Sequence, residues 1–116
     1  MSEQFEVTST PGDGGLVQIV KVLGELDSRG VPAFQKLVEG LIAAGHTRLI
    51  VDCSELDYIS SSGLLILQKM VNLSRDRGGD LHLAALNEKN FTILDLLGFS
   101  QLIRCFDSVD RATAAF

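Results

Sequence analysis

Short runs rich in Val, Ile and Leu alternate along this chain with stretches in which apolar residues recur every three or four positions. Phe5 to Ser9 and Leu16 to Leu23 read as two strands joined by the turn cluster Pro11-Gly12-Asp13-Gly14-Gly15, which predicts an antiparallel hairpin. Val31, Phe34, Leu37, Val38, Leu41 and Ile42 then fall at helical spacing, with Pro32 tolerated in the first turn and Gly45 as the stop. Arg48 to Cys53 encloses Leu-Ile-Val between polar ends, the pattern of a strand buried on both faces. Leu64, Leu67, Met70, Val71 and Ser74 share one face of a second helix, from Ser62 to about Arg77, which Gly78 and Gly79 end. Leu81 to Leu86 predicts a further strand, and Asn87 caps a helix that runs through Leu97 and stops at Gly98. Leu102 to Phe106 reads as a last short strand before Ser108 caps a final helix.

This alternation predicts an α/β fold with a mostly parallel sheet and right-handed crossovers. The 116 residues suit one domain over positions 1–116. A chain of this size buries roughly 65% of its unfolded surface, so neither disulfides nor metals are needed for stability. Hydrophobic residues make up 46% and charged residues 22%, a globular balance, and charge or glycine interrupts every apolar stretch short of the roughly 18 residues of a membrane span. No membrane insertion is expected. The start, Met-Ser-Glu-Gln-Phe-Glu-Val, has neither the basic nor the apolar region of a secretory signal, so the expected location is cytoplasmic.

Charge and cysteine usage narrow the chemistry. The net charge is −5, and no cluster of Lys and Arg interleaved with aromatics occurs, so direct nucleic-acid binding is not expected. Cys53 and Cys105 stand apart with no second cysteine or histidine nearby, which suits buried thiols better than a metal site or a redox pair. His46 falls in a turn and His82 on a strand, each isolated. No metal or cofactor is implied. Nucleophile, base and orienting acid do not come together in the pattern, so the chain is not expected to be an enzyme.

The segment Leu56-Asp57-Tyr58-Ile59-Ser60-Ser61-Ser62-Gly63-Leu64-Leu65 places three hydroxyls where an extended loop enters the second helix. N–H groups at a helix start lack intrahelical partners and the peptide dipoles favour negative charge, so a serine there either caps the helix or carries a phosphoryl group. Upstream, in Gly24-Glu25-Leu26-Asp27, Gly24 either relieves crowding at a strand end or borders a contact. Asp27 with Ser28 either caps the first helix or meets a partner. Asp57 either orients the serine loop or bonds the turn through its own side chain. Asp52 is placed at the C-terminal end of a central strand, on the ligand-facing edge of an open α/β sheet.

Taken together, Gly24-Glu25-Leu26-Asp27 and Asp57-Tyr58-Ile59-Ser60-Ser61-Ser62-Gly63-Leu64 resemble the signatures of the anti-sigma factor antagonist family, the STAS domains. The hairpin, the Arg48 to Ser54 strand, the Arg77-Gly78-Gly79-Asp80 turn and the Leu94 to Ile103 stretch follow in that family's order. The resemblance implies a single STAS-type domain: a mixed, mostly parallel sheet of four or five strands with about four helices packed mainly on one side. It implies a phosphoacceptor at the serine just before a Ser-Gly or Ala-Gly pair, here Ser61, with Ser60 and Ser62 as alternatives. The implied partner is an anti-sigma factor that is also a serine kinase. Unmodified antagonist binds it and releases the sigma factor, the phosphorylated form lets go, and a phosphatase resets the cycle; ATP belongs to the partner. Gly24, Glu25, Asp27, Asp57, Ser60, Ser62 and Gly63 are the partner contacts that the resemblance points to. Many members carry Asp immediately before the acceptor, whereas this chain has Ser60. The same fold also serves constitutive adaptor subunits of transporters or signalling scaffolds, which is the alternative reading. A monomer or weak dimer is expected, since an exposed hairpin edge permits pairing.

Overall fold

Strand and helix periodicities give way to one another in the order that the sequence pattern predicts. The computed structural model describes residues 5–116; Met1 to Gln4, part of the start read for a secretory signal, lie outside the described residues. The elements are β1 (Glu6–Gly12), a 3-10 turn (Asp13–Gly15), β2 (Val17–Leu26), α1 (Val31–Ala43), β3 (Arg48–Ile59), α2 (Ser61–Asp76), β4 (Asp80–Ala84), α3 (Glu88–Leu96), a second 3-10 turn (Phe99–Gln101), β5 (Cys105–Phe106) and α4 (Val109–Ala114). The five strands lie in the order β1-β2-β3-β4-β5. β1 is antiparallel to β2, and every other pairing is parallel.

Side-chain alternation along the strands splits the interior into two unequal layers. On one face Val20, Val22, Leu49, Val51, Leu81 and Leu83 meet Phe34, Val38 and Ile42 of α1, Leu64, Leu67, Met70 and Val71 of α2, and Leu94 of α3. On the other face Val17, Ile50 and Ala84 are covered by Ala112 of α4, with Ile19, Phe106 and Val109 beside them. Leu49-Ile50-Val51 thus reads as a continuous apolar run because alternate residues enter different layers. Three helices take one side and α4 takes the other.

Caps stand where the sequence places them at two helices. Asn90 N–H donates to Asn87 Oδ1 at 2.7 Å, and Arg111 N–H donates to Ser108 Oγ at 3.1 Å. The first helix differs: Gly30 occupies its cap position without a side-chain bond, because Asp27 is turned back to its own loop. Boundaries shift most in the strands. β3 runs on to Ile59 instead of ending near Cys53, so the expected loop before the serines is sheet. Asp52 therefore sits in mid-strand opposite Lys21 and Ala84, not at the edge where ligands bind in open α/β sheets. The last strand shrinks to Cys105–Phe106 because Phe99–Gln101 turns and only two residues reach β4. Both cysteines are free; Cys53 is buried, and burial pushes the Cys105 thiol up to about 11.

His82 is the polar group on which α4 rests. It is buried on β4, its Nδ1 lies 2.9 Å from the Ala112 carbonyl, and its ring stacks on Phe116 at 3.9 Å with Phe106 tilted at 5.0 Å. A carbonyl only accepts, so Nδ1 carries the proton and donates. Burial holds the His82 pKa below its ordinary value, outweighing the bond to the Ala112 carbonyl and Asp80, whose Oδ2 lies 3.5 Å from Nε2 while its Oδ1 accepts from Arg75 and the Leu81 N–H. A depressed folded-state pKa gives stability that is complete above the unfolded value near 6.5 and is lost as pH falls through the folded one. Urea unfolding at pH 7.5 and 5.5 is expected to show a loss at the lower pH that shrinks in a His82→Gln variant.

Candidate functional site

The Gly24–Asp27 and Asp57–Leu64 segments meet because β2 and β3 are parallel neighbours: Gly24 pairs with Leu56, Glu25 with Tyr58 and Leu26 with Ile59. Asp57 has no opposite number. It is the extra residue of a β-bulge, and the strand bends there, leaving Asp57 exposed. Gly24, on the facing side of the irregularity, has φ +98°, a conformation that costs a residue with a Cβ and that glycine adopts freely. The positive φ by itself accounts for a glycine here, a requirement separate from the crowding and contact readings.

Where the paired strands end, the Leu26 carbonyl fixes the start of α2. It accepts from Ser60 N–H at 3.0 Å and from Ser60 Oγ at 3.4 Å. Ser60 Oγ in turn accepts from Gly63 N–H at 3.2 Å, the geometry of an N-cap. Gly63 is buried, and a Cβ there would run into the Leu26 carbonyl oxygen and lie 2.9 Å from Ile59 Cγ2. Glycine lets helix and strand approach this closely.

The three serines consequently differ. Ser60 is half-buried and its hydroxyl is engaged on both sides; Ser61 and Ser62, the first two helical residues, are exposed. The first turn of α2 holds no acidic side chain, so the positive end of its dipole is met only by the Ser60 cap. Leu65, one turn on, is 66% exposed and Tyr58 is 41% exposed, so large apolar groups flank the serines. Leu65 falls outside the buried face of the helical wheel, a signal present in the sequence pattern but overshadowed by the serine run.

Asp27 neither caps α1 nor stands open. Its carboxylate accepts from Arg29 N–H at 2.9 Å and from Arg29 Nη2 at 2.7 Å, and these bonds hold its pKa below the ordinary carboxylate range. Glu25 lies 3.6 Å from the same guanidinium. Arg29 is the member of this group that the motif reading overlooked; as one basic residue in a turn it gave no periodic signal. No groups of His, Cys, Asp and Glu suited to a metal ion occur among the described residues.

The family model described as "STAS domain" matches residues 5–112. The chain belongs to the STAS domain family. A curated relative, the Bordetella bronchiseptica protein BtrV, assigned as an anti-sigma factor antagonist, is 27% identical over 112 residues, covering 97% of this chain and 95% of its own. An anti-sigma factor antagonist from Mycobacterium paratuberculosis superposes with a TM-score of 0.86 at 23% identity, over 97% of this chain and 93% of the other. The Bacillus antagonist SpoIIAA in its phosphorylated form gives 0.68 at 17% identity, covering 98% of both chains. These two structural likenesses carry the STAS fold, and the mixed five-stranded sheet with helices mainly on one face is that fold. No helix among the described residues is long and apolar enough to cross a membrane.

The junction makes graded demands on its residues. Gly63→Ala is expected to destabilise the STAS domain by about 1–3 kcal/mol through overpacking, and Ser60→Ala by about 1 kcal/mol through loss of the cap. Ser61→Ala, at an exposed position, is expected to stay within about 0.5 kcal/mol of the parent. Urea denaturation of the three variants checks that order.

Proposed function

We propose that this STAS domain is an anti-sigma factor antagonist that binds an anti-sigma factor with serine kinase activity, and that phosphorylation of Ser61 ends the contact. The observation that carries the reading is the separation of roles at the start of α2. Ser60 is occupied as the cap, whereas Ser61 presents an exposed hydroxyl to solvent at a helix start with no acid of its own. The departure at position 60 fits this arrangement, because Asp and Ser both cap helices through a side-chain oxygen. Ser60 therefore fills the structural post that an Asp would fill, leaving the acceptor to its neighbour.

Phosphorylation adds about −1.5 to −2 charges and three acceptor oxygens. In the free chain the unpartnered N–H groups and the dipole of α2 accommodate that charge. In a complex the same phosphate sits among Tyr58, Leu65, Glu25 and Asp57, a surface part apolar and part acidic, where it must be desolvated against a partner that fitted the neutral serine. A hundredfold loss of affinity needs a differential of about 2.7 kcal/mol, within the reach of one unpaired phosphate. The chain acts on this reading as a binding regulator in the cytoplasm, with no catalysis of its own, no direct contact with nucleic acid, and a phosphatase to reset it. Gly24, Asp27, Ser62 and Gly63 serve the interface by shaping or bordering it.

Recovery of the protein from its own cells, with site-resolved mass spectrometry and identification of copurifying proteins, tests the proposal. Phosphate on Ser61 and a serine kinase in the preparation are expected. Calorimetric titration of that kinase is expected to show about a hundredfold weaker binding for Ser61→Asp, with little change for Ser60→Asp. Unaltered affinity of Ser61→Asp would refute the switch. An unmodified chain held by a transporter or scaffold in every condition would make it a constitutive adaptor instead.

A further inference from the structure

The solvent face of α1 is unlike that of an ordinary surface helix. Among its thirteen residues only Gln35, Lys36 and Glu39 are polar, and Gln35 is bonded to Glu39 at 2.9 Å. Phe34, Val38 and Ile42 supply the buried stripe, but the opposite side, Ala33, Lys36, Gly40 and Ala43, carries one charge. A helix apolar nearly all round is normally enclosed on every side. Ala33, Leu37, Gly40 and Leu41 also line an open apolar groove with Val7 of the edge strand β1.

Gly40 sharpens the point. Glycine in mid-helix costs about 0.5–1 kcal/mol relative to alanine, yet a Cβ at this position would meet nothing within 4 Å. The fold of the single chain does not ask for glycine there. Close approach by a second backbone does.

We infer that this face joins two copies of the chain, α1 packing antiparallel on α1 across a two-fold axis at Gly40. Charge selects the second copy as occupant. Lys36 has no ion pair among the described residues, and the last turn of α1 has no basic side chain to meet the negative end of its dipole. Antiparallel crossing at Gly40 brings Lys36 of each copy opposite Ala44 of the other, at the negative end of the partner's helix, where cations are favoured. Each copy supplies the cation that the other lacks, as an isologous contact requires. α1 is only about 20 Å long, so the contact is at the small end of the interface range and the dimer exchanges readily.

Sedimentation velocity of the full chain from about 5 to 500 μM, a range that brackets weak association, tests the inference. The wild type is expected to move from monomer towards twice that mass. Gly40→Glu is expected to weaken association at least tenfold without lowering the melting temperature, since its side chain enters open space and Glu is the better helix former. A Gly40→Cys variant is expected to form a disulfide-linked dimer under mild oxidation, when the wild type with its native Cys53 and Cys105 does not. A wild type that stays monomeric across the range, or a dimer untouched by Gly40→Glu, overturns the proposal.

Discussion

One backbone carbonyl, that of Leu26, sets the position of everything chemically interesting in this domain. It ends β2, accepts two bonds from Ser60 and stands against the bare Cα of Gly63. A carbonyl has two lone pairs, so both bonds can be made at once, and a buried acceptor left unfilled would cost more than either bond yields. Helix start and strand end are thereby locked together, and Ser61 is presented from a rigid corner instead of a mobile loop. A corner of this kind meets any partner with little further ordering to be done.

The sheet supplies the rest of the positioning. Parallel pairing of β2 and β3, from Gln18 opposite Leu49 to Leu26 opposite Ile59, carries two distant motifs to the same end of the sheet. Parallel strands need cover on both faces, and the fold provides it unevenly: three helices on one face, α4 with the His82–Ala112 bond on the other. The thinner layer depends more on a few directed contacts, as small cores do when apolar area is scarce.

Most of this architecture was legible in the sequence, for identifiable reasons. Leu64, Leu67, Met70, Val71 and Ser74 lie on one helical face, and all are buried; Asn87 and Ser108 announce their caps through side chains that bond locally. The strand ends were not legible. Ser54 to Ile59 is too polar to read as strand, because its pairing is with β2 and depends on a register that periodicity does not encode. Of the two roles open to Asp27 in the sequence, the cap is not made, for a similar reason: Arg29, two positions on, competes for its carboxylate and wins with charge-assisted bonds. At the serine run the sequence left capping and modification as alternatives for the same residues. The structure gives the cap to Ser60 and leaves Ser61 exposed, a distinction that rests on where Leu26 lies in space.

The bulge at Asp57 carries a consequence for how such a chain tolerates change in length. β3 holds more residues than the stretch of β2 it faces, and the surplus is absorbed before Ile59 reaches Leu26. Because a bulged residue has no partner, loss of Asp57 would leave Gly24 opposite Leu56, Glu25 opposite Tyr58 and Leu26 opposite Ile59 in regular register, with Leu56 and Ile59 still on the core face. Ser60 would keep the Leu26 carbonyl as its acceptor. The bulge thus gives β3 one residue of slack, and the Asp13–Gly15 turn is a second such place, whose residues are exposed and whose glycines at 14 and 15 have open space around them.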